Sequence, residues 1–354
     1  MDAEPKAIPK IMIIDRNIFN LMRLILAFLV VIQHVTILSG STNKFVYSSN
    51  GYFGIGTLGV WGFFAISGFL LTQSALRIDI KKFLFRRVLR IYPAFWTCLI
   101  LTSFILHLKA NQNIHNTLQG TIKYFISNFS AIIFQKEIPI NDFYKYSQEK
   151  AMNGSLWTLF PELFIYFVFS ISILVHKKYP KFYRHVLLLA LILISISIYI
   201  QSSYLIKNKI GIFSQALSLL LAFIVGIIWS LYIPNKAKNS KEFLYLNLIL
   251  FTLSFFTNSL RPIGQMSFCV IVLIIGSYSK IDLLCKIGKK NDISFGIYLY
   301  HYPVLQILLG TNELFRQQSN GMKILSTFIV SALFAFASWK IIEKPAIKLG
   351  HKYN

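Results

Sequence analysis

The sequence predicts an all-α, polytopic integral membrane protein of about ten transmembrane helices, with both termini in the cytoplasm. Three observations carry this: an apolar composition, a series of stretches long enough to cross a bilayer, and basic residues whose density alternates from loop to loop. Of 354 residues, 55% are hydrophobic and 14% charged, with 32 Phe and 18 Tyr. Such a chain does not fit a soluble domain with a single core. The apolar stretches centre near Val30, Phe64, Leu99, Phe164, Leu191, Leu219, Leu250, Ile271, Tyr300 and Val330, and the seventh and eighth crowd together around Arg261-Pro262.

Charge orients these elements. The chain has 36 Lys and Arg against 13 Asp and Glu, an excess that suits nucleic acid until its distribution is followed. The segment before residue 20, the loops near 77–90, 177–185, 233–242 and 280–292, and the stretch from Lys340 onward hold 24 of the basic residues; the opposite loops hold 11. Lys and Arg in short loops resist translocation, so the richer set is cytoplasmic, the partner is a lipid bilayer, and no nucleic-acid role is expected.

Residues 1–20 read as a cytoplasmic tail, 21–343 as one membrane domain, and 344–354 as a second cytoplasmic tail, with no linker or tandem repeat between modules. Gln33 and His34 interrupt the first apolar run, and no small-x-small cleavage site follows, so it is expected to be a retained helix. Cys98, Cys269 and Cys285 form neither a disulfide framework nor a metal-ligand pattern, and no metal is expected. The longest stretch between spans, about 109–154, falls on the non-cytoplasmic side. It is expected to be a solvated connector with a short amphipathic helix, or else a cover for a site.

Several ionisable residues fall inside or beside the spans. Arg23 and His34 lie eleven steps apart on the first run, three turns plus about 20°, so they share a face roughly 16 Å apart along the axis. That pair suggests a functional site, the alternative being a snorkelling arginine and a packing histidine. Glu162, in SLWTLFPELFIYF, is the acidic residue placed well inside a span, about 10 Å below the outer surface, and His301 lies in YLYHYPV. His34, Glu162 and His301 are expected to converge on one buried polar site, although each could instead be a satisfied packing residue.

The second span, GVWGFFAISGFLLTQ, carries Gly59, Gly62, Gly68 and Ser67, small residues that permit close helix packing or leave room for a thin acyl or pantetheine arm. KKFLFRRVLRIYP places Lys81, Lys82, Arg86, Arg87 and Arg90 at the foot of the third span, where they anchor topology or bind the phosphates of an entering ligand. In IIEKPAIKL, Pro345 is expected to stop the last helix and Glu343 to pair with the basic cytoplasmic face.

Taken in order, these segments resemble acyltransferase family 3, the type-3 integral-membrane acyltransferases that include bacterial polysaccharide and O-antigen O-acetyltransferases. The resemblance runs through most of the chain. Arg23 and His34 fit the family's Arg, ten residues, His motif, and the Gly-rich second span fits its second helix. Arg87 and Arg90 fit an Arg-x-x-Arg pair, and NGSLWTLFPELFIYF, with Trp157 and Glu162, fits a Trp-Thr-Leu and Glu block. SFGIYLYHYPV fits a late Tyr-Leu-x-His segment, and Glu343 with Pro345 fits a terminal Glu-x-Pro signal.

The resemblance implies an acyl-CoA-dependent O-acyltransferase, most directly an acetyl-CoA-dependent O-acetyltransferase, in a bacterial inner membrane. Its acceptor would be a lipid-linked or nascent surface or secreted glycan, such as O-antigen, lipopolysaccharide or exopolysaccharide. Arg87 and Arg90 would engage the donor's phosphates with help from Arg23. His34 would be the catalytic residue, as a base toward the acceptor hydroxyl or as an acyl-accepting nucleophile, and Arg23 and Glu162 would assist it. Glu162 would orient His34 or the sugar, while Ser67, Trp157 and His301 would touch substrate. Glycan-assembly proteins or a second copy of the chain are possible partners.

The chain departs from the family where Trp61 stands in place of a frequent acid after Gly-Val, and where Pro161-Glu162 replaces paired acids. No fused extracytoplasmic hydrolase-like domain, such as some members carry, is expected in a chain of this length. A rival reading is an exporter or translocase of a polysaccharide or acylated glycan, and a third is an inactive scaffold for glycan assembly.

Overall fold

A computed structural model describes residues 17–40, 54–109, 114–131, 145–204, 212–233, 241–277 and 281–352. Most of the N-terminal tail and parts of the long stretch after residue 109 therefore lie outside the described residues. The described chain is all-helical, with no strand. Its helices are α1 (Phe19–Leu38), α2 (Ile55–Arg77), α3 (Ile80–Lys109), α4 (Ile114–Asn128), α5 (Leu159–Lys178), α6 (Pro180–Tyr204) and α7 (Ile212–Leu231). There follow α8 (Lys241–Leu253), α9 (Arg261–Ser277), α10 (Asp282–Lys286), α11 (Ser294–Thr311), α12 (Glu313–Gln317), α13 (Asn320–Ser338) and α14 (Lys344–Lys352).

All ten predicted centres fall on helices. Among the described residues seven helical segments are long and apolar enough to cross a membrane, and the protein is a multi-pass membrane protein. The outer helix α6 presents Leu189, Ile192, Leu193 and Ile196 outward. In water such a surface would be a liability; facing lipid tails it is the expected one.

α2 is the hub, packed against α1, α7 and α9. Its glycines are what let the neighbours in. A Cβ on Gly59 would meet the Leu26 carbonyl oxygen at 2.6 Å, one on Gly62 would meet the Leu26 side chain at 2.6 Å, and one on Gly68 would run into the Phe223 backbone. From the other side, a Cβ on Gly226 would strike the Ala65 carbonyl. The backbones of α2 and α7 thus cross in contact, in the manner of small residues at membrane helix crossings. The space at these glycines is filled by protein, so of the two roles expected for the Gly-rich span it is packing, not accommodation of an acyl arm, that the structure shows. Gly226→Val is expected to force the crossing apart at a cost of about 1–3 kcal/mol or more, read as a lower melting temperature and loss of monodisperse protein in detergent.

The approach to α5 is not helical. Residues 147–150 run along the surface beside α11, and only 151–153 are buried before the chain enters a short 3₁₀ turn, Gly154–Thr158, ahead of α5. Irregular backbone at membrane depth requires partners for its polar groups. Gln306 Nε2 donates to the carbonyls of Glu149 (2.9 Å) and Ala151 (2.7 Å). Pro303 inside α11 lacks the N–H that would bond the Leu299 carbonyl four residues back. Asn153 Nδ2 donates to that carbonyl at 3.0 Å, and Cys98 Sγ also donates to it, at 3.4 Å.

The last span corrects another expectation. Pro345 does not stop the helix: α13 passes through a π turn, Trp339–Glu343, into α14, with Pro345 in the first turn of α14. Because the helix is continuous, Pro345 leaves a carbonyl of the preceding turn without its N–H, and the wider π turn immediately before it is where the helix accommodates the proline. The π turn carries Glu343 into the interior, where it is fully buried.

Candidate active site

A cavity of about 120 Å³ opens between α1, α2, α3, α5 and α11. Its polar wall contains Arg23, Ser67, Arg87, Arg90, Glu162 and Tyr166. Sequence depth had placed Glu162 near the outer surface and the arginines at the cytoplasmic foot. The structure brings them to one level, because α3 and α5 pack with Phe83 against Phe169 (ring centroids 5.9 Å apart). One turn beyond that contact α3 presents Arg87, while the preceding turns of α5 present Tyr166 and Glu162.

Each arginine has a different setting. Arg23 Nη1 donates to Asp292 Oδ2, and its guanidinium lies 5.9 Å from the Phe63 ring centre. Arg90 Nη2 donates to the same Asp292 oxygen at 2.8 Å, and its Nη1 stands 3.6 Å from Glu343 Oε2. The Arg90 guanidinium also lies over the Phe295 and Trp339 rings, at 5.9 and 5.2 Å. Glu343 in turn accepts a hydrogen bond from Ser338 Oγ at 3.2 Å. Arg87 lies over the Phe83 ring at 5.7 Å, its Nε is buried without a hydrogen-bond partner, and it makes no ion pair among the described residues. The Arg87 guanidinium thus shares the cavity with Glu162 without a close ion pair.

Asp292 was not among the residues singled out from sequence. It precedes α11, accepts from Ser294 Oγ at 2.6 Å through Oδ1, and bridges Arg23 and Arg90 through Oδ2. Burial alone would raise its pKa, but the two guanidinium groups and the Ser294 hydrogen bonds outweigh that and hold it at about 2. The available signal was its position two residues before a serine at a helix start.

The two histidines meet apart from this cavity. His34 Nδ1 and His301 Nε2 are 2.7 Å apart, and the rings stack at 5.0 Å with 21° between planes. His301 is fully buried, and its Nδ1 lies 3.1 Å from the Ile297 carbonyl. The Tyr302 ring stands edge-on to His34 at 5.0 Å, and its hydroxyl donates to Glu149 Oε2 at 2.8 Å. Tyr298 borders both regions: it lines the arginine cavity, and its ring is 6.0 Å from that of His301.

The expected convergence of His34, Glu162 and His301 is thus corrected. The histidines pair with each other, whereas the Glu162 carboxylate accepts from the Tyr166 hydroxyl within the arginine cavity. The cause is the packing of α5 against α3, which turns Glu162 toward the guanidinium groups. Ser67 lines the cavity; Trp157, half-buried on the 3₁₀ turn, does not. Among the described residues no group of three or more His, Cys, Asp or Glu is placed to hold a metal.

An all-helical membrane body with an arginine-lined cavity and a neighbouring histidine pair suits an integral-membrane enzyme. A family model described as an acyltransferase domain matches residues 16–341. The chain belongs to acyltransferase family 3 and is an acyltransferase. It is 27% identical over 343 residues to an O-acetyl transferase of Shigella phage Sf6, covering 93% of this chain and 95% of that protein. It is 25% identical to nodulation protein 10 of Rhizobium leguminosarum bv. viciae, covering 82% of each chain. A third relative, the O-acetyltransferase OatA of Staphylococcus aureus (strain NCTC 8325 / PS 47), is 26% identical over 84% of this chain and 53% of its own length, so the chain spans about half of that protein. No solved structure matches the chain.

Proposed function

We propose that the protein is an acyl-CoA-dependent O-acetyltransferase that modifies hydroxyls of a bacterial surface or secreted glycan at the inner membrane. The observation that carries the donor assignment is the arginine cavity. Three guanidinium groups line it, and that of Arg87 makes no close ion pair among the described residues. A phosphate-bearing acyl donor fits this chemistry, because guanidinium groups bind phosphate through paired hydrogen bonds. The names of two relatives support acetyl as the group transferred.

In this reading the arginines hold the donor and His34 acts on the acceptor. His34 takes the proton of the acceptor hydroxyl as that oxygen attacks the thioester carbonyl. The new C–O bond forms, the C–S bond breaks, and His34 returns the proton to the departing sulfur. The products are an ester and a free thiol.

Mass spectrometry of surface and secreted glycans tests the proposal, comparing cells with and without the protein. Loss of a single acetyl mass increment with glycan amount unchanged is the expected result. Persisting acetylation together with collapsed export would replace the reading with a translocase.

A further inference from the structure

The hydrogen bonds around His34 and His301 determine which nitrogen of which ring is free. The Ile297 carbonyl can only accept, so His301 Nδ1 carries a proton and donates to it at 3.1 Å. Among the described residues no carboxylate is in hydrogen-bond or ion-pair contact with His301, which is fully buried, so its ring is neutral and its Nε2 bears a lone pair. At 2.7 Å from that lone pair, His34 Nδ1 must be the protonated partner and donate. His34 is then left with an unprotonated Nε2, which has no hydrogen-bond partner among the described residues.

We propose that His301 is a positioning residue that locks His34 in the Nδ1-protonated tautomer and so presents His34 Nε2 as the base for acyl transfer. This rests on the reading of His34 given above and goes beyond a contact of His301 with substrate. His301 cannot serve as the base itself, since both its nitrogens are engaged and its ring is inaccessible. Two further contacts hold the His34 ring: the stacked His301 face, and the edge-on Tyr302 ring whose hydroxyl is tied to Glu149. The arrangement follows the logic of a base oriented by a hydrogen bond to its second nitrogen. Here a neutral imidazole backed by a helix carbonyl takes the place of a carboxylate. When His34 is protonated at Nε2, its Nδ1–H still points at the His301 lone pair, so the developing positive charge meets an acceptor.

Two measurements on the full-length protein test this. In ¹⁵N-histidine-labelled protein in lipid nanodiscs at neutral pH, with the His34 resonances assigned by their loss in His34→Ala, His34 is expected to show a protonated Nδ1 and an unprotonated Nε2. His301→Leu is expected to mix the two tautomers. The opposite tautomer in the unmodified protein overturns the proposal whether or not the protein transfers acyl groups.

The second measurement follows thiol release from acetyl-CoA in acceptor-containing membrane vesicles. His301→Leu is expected to lower kcat about 100-fold with little change in KM for acetyl-CoA. His301→Gln, whose amide oxygen can accept from His34 Nδ1, is expected to recover to within about tenfold of the original rate. Equal loss in both variants with correctly inserted protein, or undiminished kcat in His301→Leu, overturns the positioning role. Absence of acetyl-CoA turnover in the unmodified protein would instead count against the donor assignment, leaving the tautomer measurement to decide on His301.

Discussion

Replacing His34 by alanine is expected to lower acyl transfer by about 10²–10⁴-fold, the range that a positioned general base contributes. The protein should still insert and fold, because His34 is only half-buried and its ring contacts are with residues that keep other anchors. Tyr302 retains its bond to Glu149, and His301 its bond to Ile297. The measurement is acetyl content of glycans in cells complemented with His34→Ala, with membrane abundance checked in parallel. Full restoration of acetylation by His34→Ala would remove His34 from the chemistry and leave the histidine pair as packing.

The second large effect is expected at Asp292. Its carboxylate serves two guanidinium groups, and the three side chains are 15–21% exposed. Removing one member of a largely buried ion pair typically costs about 3–5 kcal/mol, because the remaining charge is left without a partner. Asp292→Ala should fall near the lower end, about 3 kcal/mol, since Arg90 keeps Glu343. Pairing Asp292→Asn with Arg23→Gln should restore part of the loss. Simple additivity of the two single losses in denaturation measurements would argue that they do not form a stabilising pair.

Acid supplies an independent check. The Asp292 pKa lies at about 2 in the folded protein against an ordinary 3.8, so the unfolded chain takes up the proton first as pH falls. The stabilisation is complete above about pH 4 and is lost as pH falls toward 2. The stability difference between the unmodified protein and Asp292→Asn is expected to shrink as pH falls through about 4 toward 2. A difference that stays unchanged between about pH 5 and 2 would show that another group is responsible.

The contrast between Arg87 and Asp292 shows what the sequence made legible. Arg87 and Arg90 occur in a dense basic run beside an apolar stretch, and Arg23 and His34 lie at helical spacing in one, so composition and periodicity alone draw attention to them. Asp292 follows two lysines in KIGKKNDISF and reads as part of a solvated loop. Its role depends on three helices bringing Arg23 and Arg90 to it, and no local pattern encodes that approach. Helix positions were legible for a similar reason: each apolar run is its own signal, and all ten centres fall on helices. The level of Glu162 was not, because depth was counted along a continuous helix, whereas the chain enters α5 through non-helical backbone whose Glu149 and Ala151 carbonyls accept from Gln306. The pairing of His34 with His301 depends on the relative rotation of α1 and α11, which periodicity within either helix leaves open.

The carboxylate shared by Arg23 and Arg90 also sets a timetable for biosynthesis. Arg23 belongs to α1, and its partner follows 269 residues later. At about 5–20 residues per second, that interval is roughly 15–50 s of translation. Throughout it the nascent chain carries Arg23, and later Arg87 and Arg90, without the acid that joins two of them. The early helices must wait near water or lipid phosphate, and final closure of the bundle around these arginines becomes a post-insertion event triggered by the arrival of α11. A chain that stalls before Asp292 would expose uncompensated positive charge at the membrane, a feature by which membrane quality control could distinguish it from the finished protein.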